Sequence, residues 1–347
     1  MNKRTARAGG RRGNSEKGFA SAQFLFILLF LSALSLGTGF YLHSLLQIEE
    51  RARRNNRIAS EINDILNEVT AAIYHDITPD INSVDDPVWA WNGKTVNGYT
   101  ITVNPVSDRL NLNFVRKNVF DKTRLSLLLA PGSTSGDIQQ FREDRGLSIF
   151  AADYQHFFDR ELFWRYFSCY GWANINLTDE FAARKLALAL TGSEQAAEGL
   201  RAAIQRQLLR RENVNRNNLR AVLGGDYDSL FPFVNAEPLM NINLVEPALL
   251  TELLSYSDYA VSFPERRQRE ILARRESGGI DAVDIPLVLG IDPQNPLVHY
   301  FGSITWFWEI IISGSQKSQR TVLCRLPVDA ANQSEAIVFN IIEQRYQ

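Results

Sequence analysis

Hydrophobic and polar positions divide this chain into unlike stretches. From Phe19 to Ile48 no Asp, Glu, Lys or Arg occurs, and Phe24 to Leu36 is almost wholly apolar. Such a run is long enough to cross a bilayer as a helix of about 20 residues. The pattern then changes without a break. Ile58, Ile62, Ile65, Leu66, Val69 and Ile73 recur at helical spacing, with Arg57, Glu61, Asn63, Asp64 and Glu68 on other faces. The spacing predicts one helix from about Phe19 to Tyr74, roughly 85 Å long at about 1.5 Å per residue, half apolar and half amphipathic. Pro79 rules out its continuation.

Beyond the helix the period shortens to two. Asn92-Gly93 and Asn97-Gly98 are turn signals, and Tyr99, Ile101 and Val103 alternate as the inward face of a strand. The same period returns near the C-terminus. Ile304, Trp306, Trp308, Ile310 and Ile312 form one face of a strand, alternating with Ser303, Thr305, Phe307, Glu309 and Ile311. Arg320 to Leu326 is its partner, with Val322, Cys324 and Leu326 on one side, and Ala336 to Ile342 is a last strand. The tryptophans are expected to pack against the stem helix rather than to hold a ligand.

Between the two groups of strands the chain reads as helix. A loop opens this middle at Pro131-Gly132-Ser133-Thr134-Ser135-Gly136. Helical spacing follows at Leu200, Ile204 and Leu208, and again at Leu249, Leu250, Leu253 and Leu254, where Pro247 suits a first turn. The predicted class is α+β: a long N-terminal helix packed on an antiparallel sheet, with a large, mainly α-helical insertion between sheet strands.

One phrase recurs three times: Asn111-Leu112-Asn113, Asn174-Ile175-Asn176-Leu177 and Asn241-Ile242-Asn243-Leu244. In an extended segment residues two apart point the same way, so each Asn pair can hydrogen-bond nearby backbone and start the next element. The phrase is read as structural.

Charge sharpens the picture at one end. The first seventeen residues carry Lys3, Arg4, Arg7, Arg11, Arg12 and Lys17 against Glu16, a net of about +5 within a chain whose total is −2. A basic leader stays on the cytoplasmic side of a bilayer, and the mildly acidic remainder has no electrostatic reason to bind nucleic acid. The basic run Arg266, Arg267, Arg269, Arg274 and Arg275 is interleaved with Glu265, Glu270 and Glu276, including the helical pair Glu270 and Arg274, as on a solvated face. Two cysteines, Cys169 and Cys324, would close one long loop if bonded in an oxidising compartment; two buried thiols is the alternative.

Catalytic chemistry finds no motif. His43, His75, His156 and His299 are scattered, and there is no nucleophile elbow, phosphate-binding loop or dinucleotide fingerprint. The chain is read as a non-enzyme without a cofactor. Asp85 with Asp86 is a conceivable calcium pair, but a solvated turn accounts for it as well.

The junction Lys17-Gly18-Phe19, a basic leader ending in Gly before Phe and an apolar helix, resembles the cleavage region of type IV pilins and pseudopilins. A cleaved secretory signal would use Ala33-Leu34-Ser35, but the helical pattern runs on through it; a plain signal anchor is the other alternative. The resemblance implies that prepilin peptidase cuts between Gly18 and Phe19 and that Phe19 becomes N-methylated. At the fifth residue after the cut, where most such proteins have Glu, this chain has Gln23. In the family that carboxylate is thought to pair with the N-terminal amine of a neighbouring subunit, so its loss suits a subunit at a filament tip.

The largest minor pseudopilin of type II secretion, the K component, is similar to this chain in lacking that Glu and in being long. Ser107-Asp108-Arg109-Leu110-Asn111-Leu112-Asn113 resembles the entry to its helical insertion. Asn241 to Leu254, Gly278 to Asp284 and Leu289-Gly290-Ile291 resemble the insertion's later half, whereas Phe141 to Asp228 matches nothing beyond being helical. The division implied is a leader over 1–18, a transmembrane stem over 19–48 and an amphipathic stem over 49–76. First strands of a pilin-like domain follow over 77–109, the insertion over 110–299, and last strands over 300–347.

The resemblance implies a single-pass protein of the inner membrane with a periplasmic domain. Its implied partners are other minor pseudopilins, prepilin peptidase and the inner-membrane secretion platform. Some pseudopilins bind calcium, so that point stays open without named ligands. Other readings are a minor pilin of a type IV pilus and a signal-anchored helix-hairpin-helix binding protein, for which only Leu289-Gly290-Ile291 gives a partial hairpin match.

Overall fold

A computed structural model of the chain describes residues 13–145, 151–210, 213–315, 317–325 and 339–346. The chain divides into two compact units, residues 1–64 and 65–347, and the division falls inside one helix, α1 (Gly13–Tyr74). The helix starts earlier than the expected Phe19. A lone Gly18 costs a helix only about 1 kcal/mol, and no Pro interrupts Asn14 to Lys17.

The second unit opens with the last turns of α1, where Ile65, Leu66, Val69 and Ile73 form a buried stripe packed on the sheet. The helix gives way to a loop tied by a polar cluster. Asn82 Nδ2 donates to Asp76 Oδ2 (3.0 Å) and Asp86 Oδ2 (3.1 Å), while Asn82 Oδ1 accepts the Thr305 N–H at 2.7 Å. Strands β1 (Thr95–Val96) and β2 (Tyr99–Pro105) then form a hairpin, with Val96 opposite Tyr99. Its two turn residues, Asn97 (φ 52°) and Gly98 (φ 81°), are both left-handed, as a two-residue hairpin turn requires. Tyr99, Ile101 and Val103 are buried as the alternation predicts.

The insertion consists of three modules of one plan. Each begins with a two-residue strand ending in the first Asn of the recurrent phrase, continues through helices, and closes with a second two-residue strand that pairs in parallel with the first. In the first module β3 (Leu110–Asn111) leads through α2 (Lys117–Asp121), α3 (Ser135–Arg145), α4 (Ala151–Tyr154) and α5 (Arg160–Tyr166) to β4 (Phe167–Ser168). In the second, β5 (Ala173–Asn174) leads through α6 (Glu180–Thr191), α7 (Glu194–Arg210), α8 (Arg216–Leu223) and α9 (Tyr227–Leu230) to β6 (Val234–Asn235). In the third, β7 (Met240–Asn241) leads through α10 (Pro247–Leu254), α11 (Pro264–Arg275) and α12 (Ile285–Leu289) to β8 (Phe301–Gly302). The first and third modules share one apolar core around Phe167, Leu250 and Phe301, and the second has its own around Ala183, Ile204 and Leu219.

The chain returns to the sheet through β9 (Phe307–Ser313), β10 (Ser318–Arg325) and β11 (Phe339–Tyr346), giving a five-stranded antiparallel sheet of order β1-β2-β9-β10-β11. Ile101 lies opposite Ile312 and Val103 opposite Ile310. Trp308 shares that face and meets Trp89 at 5.4 Å between ring centroids.

Two expectations for these strands change. β9 begins at Phe307: the Trp306 carbonyl still accepts the Arg325 N–H of β10 at 2.7 Å, but its own N–H donates to Ser107 Oγ at 3.1 Å. Trp306 therefore does not share the face of Trp308; it packs edge-on against Trp172 of the insertion at 5.0 Å. The last strand runs from Phe339 to Tyr346 rather than ending at Ile342, with a register shift between Val322 and Leu323; Leu326 and residues 336–338 of the expected strands lie outside the described residues.

Candidate membrane anchor and insertion neck

In the first unit, Phe24 to Ile48 of α1 exposes apolar side chains on every face: Phe24, Phe26, Leu29, Phe30, Leu36, Phe40 and Ile48 are each at least 60% exposed. At about 1.5 Å per residue this segment exceeds the roughly 30 Å hydrocarbon thickness of a bilayer. It is long and apolar enough to cross a membrane. Three of its hydroxyls are satisfied within the helix. Ser32 donates to Leu28 O at 2.8 Å, Thr38 to Leu34 O at 3.0 Å and Ser44 to Phe40 O at 2.9 Å. Back-bonding of this kind removes the need for water at those donors. Charge resumes at Glu49, which pairs with Arg53 at 2.6 Å, and Arg57 pairs with Glu61 at 2.9 Å. Gly18, Phe19 and Gln23 lie on the backbone of this helix, and their side chains lie outside the description.

In the second unit the insertion leaves and rejoins the sheet through one neck. Val106 N–H donates to Phe307 O at 2.9 Å, and Ser107 Oγ accepts the N–H groups of Trp306 (3.1 Å) and Phe307 (3.4 Å). Asp108 follows, its side chain only 13% exposed and 3.4 Å from Arg109 Nε. Burial pushes the Asp108 carboxyl up to about 7; Arg109 and Arg275 oppose the shift and Glu246 adds to it. Arg275 itself is buried, donates Nη1 to Val245 O at 2.9 Å, and is pushed down to about 10 by desolvation. Glu246 is in turn paired with Arg165 of α5.

The Asn phrases organise each module. The first Asn accepts the N–H two residues on: Asn113 to Asn111 at 3.0 Å, Asn176 to Asn174 and Asn243 to Asn241 at 2.9 Å. Its amide donates to the linker that follows the module in the first two cases, Tyr170 O (3.0 Å) and Glu237 O (3.2 Å), and to Asn82 O and Thr305 Oγ1 in the third. The second Asn reaches across its module. Asn176 binds both the N–H and the C=O of Val214 (2.9 and 2.8 Å), and Asn243 does the same to Ile280 (2.8 and 3.1 Å). Asn113 departs from the pair, donating to Cys169 O and accepting from Tyr154 Oη. Gly171 in the first linker has φ 134°, and a Cβ there would stand 2.8 Å from the Asn111 amide nitrogen.

Several candidate residues have other surroundings than the sequence suggested. Cys169 and Cys324 are both free and buried, in two different apolar clusters, so the disulfide is not formed; burial pushes both thiols up to about 12. Asp86 is buried rather than solvated: its oxygens accept from Ser83 N, Ser83 Oγ and Asn82 Nδ2, while Asp85 is exposed. Among the described residues no three His, Cys, Asp or Glu side chains gather as metal ligands would. Glu270 pairs with Arg266 and Arg267, both at 2.8 Å, rather than with Arg274. On the sheet, Glu309 takes Arg320 (2.5 Å) and Asn104 (3.0 Å), and Arg320 also reaches Tyr170 Oη at 3.1 Å. No sequence signal pointed to that network, since its members come from β2, β9, β10 and a linker.

No family profile and no curated protein matches this chain. Among solved structures it is similar to a chain of the GspK-GspI-GspJ complex from the type 2 secretion system of enterotoxigenic Escherichia coli, with 13% identity over 86% of this chain and 99% of that one and a TM-score of 0.40.

Proposed function

We propose that this chain is a minor pseudopilin of a type II secretion system, of the K kind, which initiates or caps the pseudopilus at its tip during export of folded proteins across the outer membrane. The observation that supports it best is the makeup of α1. One helix carries an all-round apolar segment from Phe24 to Ile48, with Ser32, Thr38 and Ser44 bonded back within the helix, and ends in a buried stripe of the sheet domain from Ile65 to Ile73. An ordinary signal anchor has no reason to continue as the structural helix of its ectodomain; a filament stem does.

In this reading the basic residues from Lys3 to Lys17 remain cytoplasmic and the sheet domain is periplasmic. Prepilin peptidase cuts between Gly18 and Phe19 and Phe19 is methylated. Gln23 supplies no charge for a neighbour's amine, which suits a subunit with nothing above it. The three-module insertion supplies the bulk that prevents further addition. Other minor pseudopilins and the inner-membrane platform are the partners, and the role is one of assembly rather than catalysis.

The test is the N-terminal mass and sequence of protein purified from membranes of a host with a prepilin peptidase. Methylated Phe19 is the expected terminus; an intact Met1 or a cut near Ser35 would overturn the reading. Crosslinking to the other minor subunits of a secretion system, rather than to those of a type IV pilus, then separates export from motility.

A further inference from the structure

Where the apolar segment of α1 ends, positive charge returns as arginine alone. Residues 49–57 carry Arg51, Arg53, Arg54 and Arg57 against Glu49 and Glu50, with no Lys. The four arginines are of two kinds. Arg53 is paired with Glu49 and Arg57 with Glu61 along the helix. Arg51 and Arg54 are exposed and make no ion pair or side-chain hydrogen bond among the described residues. Glu50, one turn before Arg54, is exposed and makes no ion pair either, so both guanidinium forks stand open.

The segment below sets the position of this open pair. At about 1.5 Å per residue Arg51 stands about 4.5 Å beyond Ile48 and Arg54 about 9 Å, while the polar layer beside the hydrocarbon of a bilayer is roughly 5–7 Å deep. A long side chain that bends back toward the apolar segment brings both charges to the depth of lipid phosphates. Residues three apart are neighbours on a helix surface, with about 5–6 Å between Cβ atoms, so the two forks meet at one phosphate. Arginine suits that group better than lysine, because its planar fork binds two phosphate oxygens at once. About three and four turns earlier, Phe40 and Leu36, 71% and 63% exposed, lie on nearly the same helix face. The face is thus cationic at the end of the apolar segment and apolar along it, which matches a molecule with an anionic head and a hydrocarbon tail.

We propose that Arg51 and Arg54 form a binding site for an anionic phospholipid, whose phosphate takes the two guanidinium forks while an acyl chain lies along Phe40 and Leu36. The site presupposes that Phe24 to Ile48 spans the membrane, and is independent of the direction of crossing and of any role in secretion. A lipid held there would fix the depth and rotation of the stem at the interface.

The test uses the full chain in non-ionic detergent, with lipid adducts counted by native mass spectrometry during titration with dioleoyl phosphatidylglycerol or dioleoyl phosphatidylcholine. One arginine at an anionic membrane surface is worth about a fivefold gain, so phosphatidylglycerol should bind on the order of tenfold more tightly than phosphatidylcholine. Arg51→Gln with Arg54→Gln should remove most of that preference, and the side chains are exposed and unpaired, so the variant should fold. Arg51→Lys with Arg54→Lys keeps the charge without the forks and should retain part of it. Arg53→Gln with Arg57→Gln removes the same charge from the paired arginines and should cost less. Glycerol phosphate, the head without its tail, should not compete at equal concentration. Equal binding of the two lipids, equal loss in the two Gln pairs, or full competition by glycerol phosphate would each overturn the site; the first would leave the open arginines to an acidic face of a partner protein. Flotation with phosphatidylcholine vesicles checks the span separately. A chain that does not float loses the span and the lipid site together, whereas one that floats and binds both lipids equally loses the lipid site alone.

Discussion

The sheet and the insertion are held together by different means. In the sheet, β9 and β10 are seven and eight residues long, so register is fixed by continuous ladders and by an apolar face running from Val103 to Ile310 and from Ile101 to Ile312. Among the described residues of the insertion no ladder is longer than two residues, and the amides of buried Asn side chains do what strand length does elsewhere. A two-residue ladder is too short to persist alone. The comparison teaches that a side chain with both a donor and an acceptor can replace a run of backbone pairing, provided it is buried and both of its groups are used.

Substitutions can break this contrast in order of size. Ile310→Ala, which empties the centre of the sheet's buried face, should cost about 3–4 kcal/mol of global stability in denaturant titrations of the full chain. Asp108 comes next. Its carboxyl is raised by burial from the ordinary range to about 7, so the folded chain holds a proton that the unfolded chain has released. Stability should therefore fall as pH rises from about 4 to about 7, by about 3 kcal/mol, and Asp108→Asn should flatten that slope. A wild-type curve without the slope would refute the shift.

Asn243→Ala leaves the Ile280 N–H and C=O without their partner and should cost about 2 kcal/mol. The loss should appear in hydrogen exchange as faster opening of the third module while β2 and β9 keep their protection; uniform loss would mean that the two regions unfold as one. Smallest of the four, Gly98→Ala places a Cβ on a left-handed turn residue and should cost about 1 kcal/mol, with β1 alone losing protection.

The same contrast explains what the sequence made legible. The stem helix, the Asn97-Gly98 hairpin and the alternation of Tyr99, Ile101 and Val103 follow from local rules, and local rules sufficed. The Asn phrases were visible as structural features, but the partners of Asn176 and Asn243 at Val214 and Ile280 lie too far along the chain for any periodic pattern to reveal them. Trp306 was misplaced because alternation holds only where regular pairing continues, and Ser107 takes the Trp306 N–H one residue before β9. Arg109 was read only as part of an entry phrase, and His299 as one scattered histidine.

The neck formed by Val106, Ser107, Trp306 and Phe307 has a thermodynamic consequence. Because the whole insertion departs and returns between two strands that are already neighbours, it is for the sheet simply a long loop. The entropy of closing a loop rises only with the logarithm of its length, about 0.6 kcal/mol per doubling. Closing that loop therefore costs the β2–β9 pairing little more with three modules than with one. What couples the size of the head to the sheet is not closure of the neck but the side-chain bonds that cross it, Asn241 to Asn82 and Thr305 and Arg320 to Tyr170.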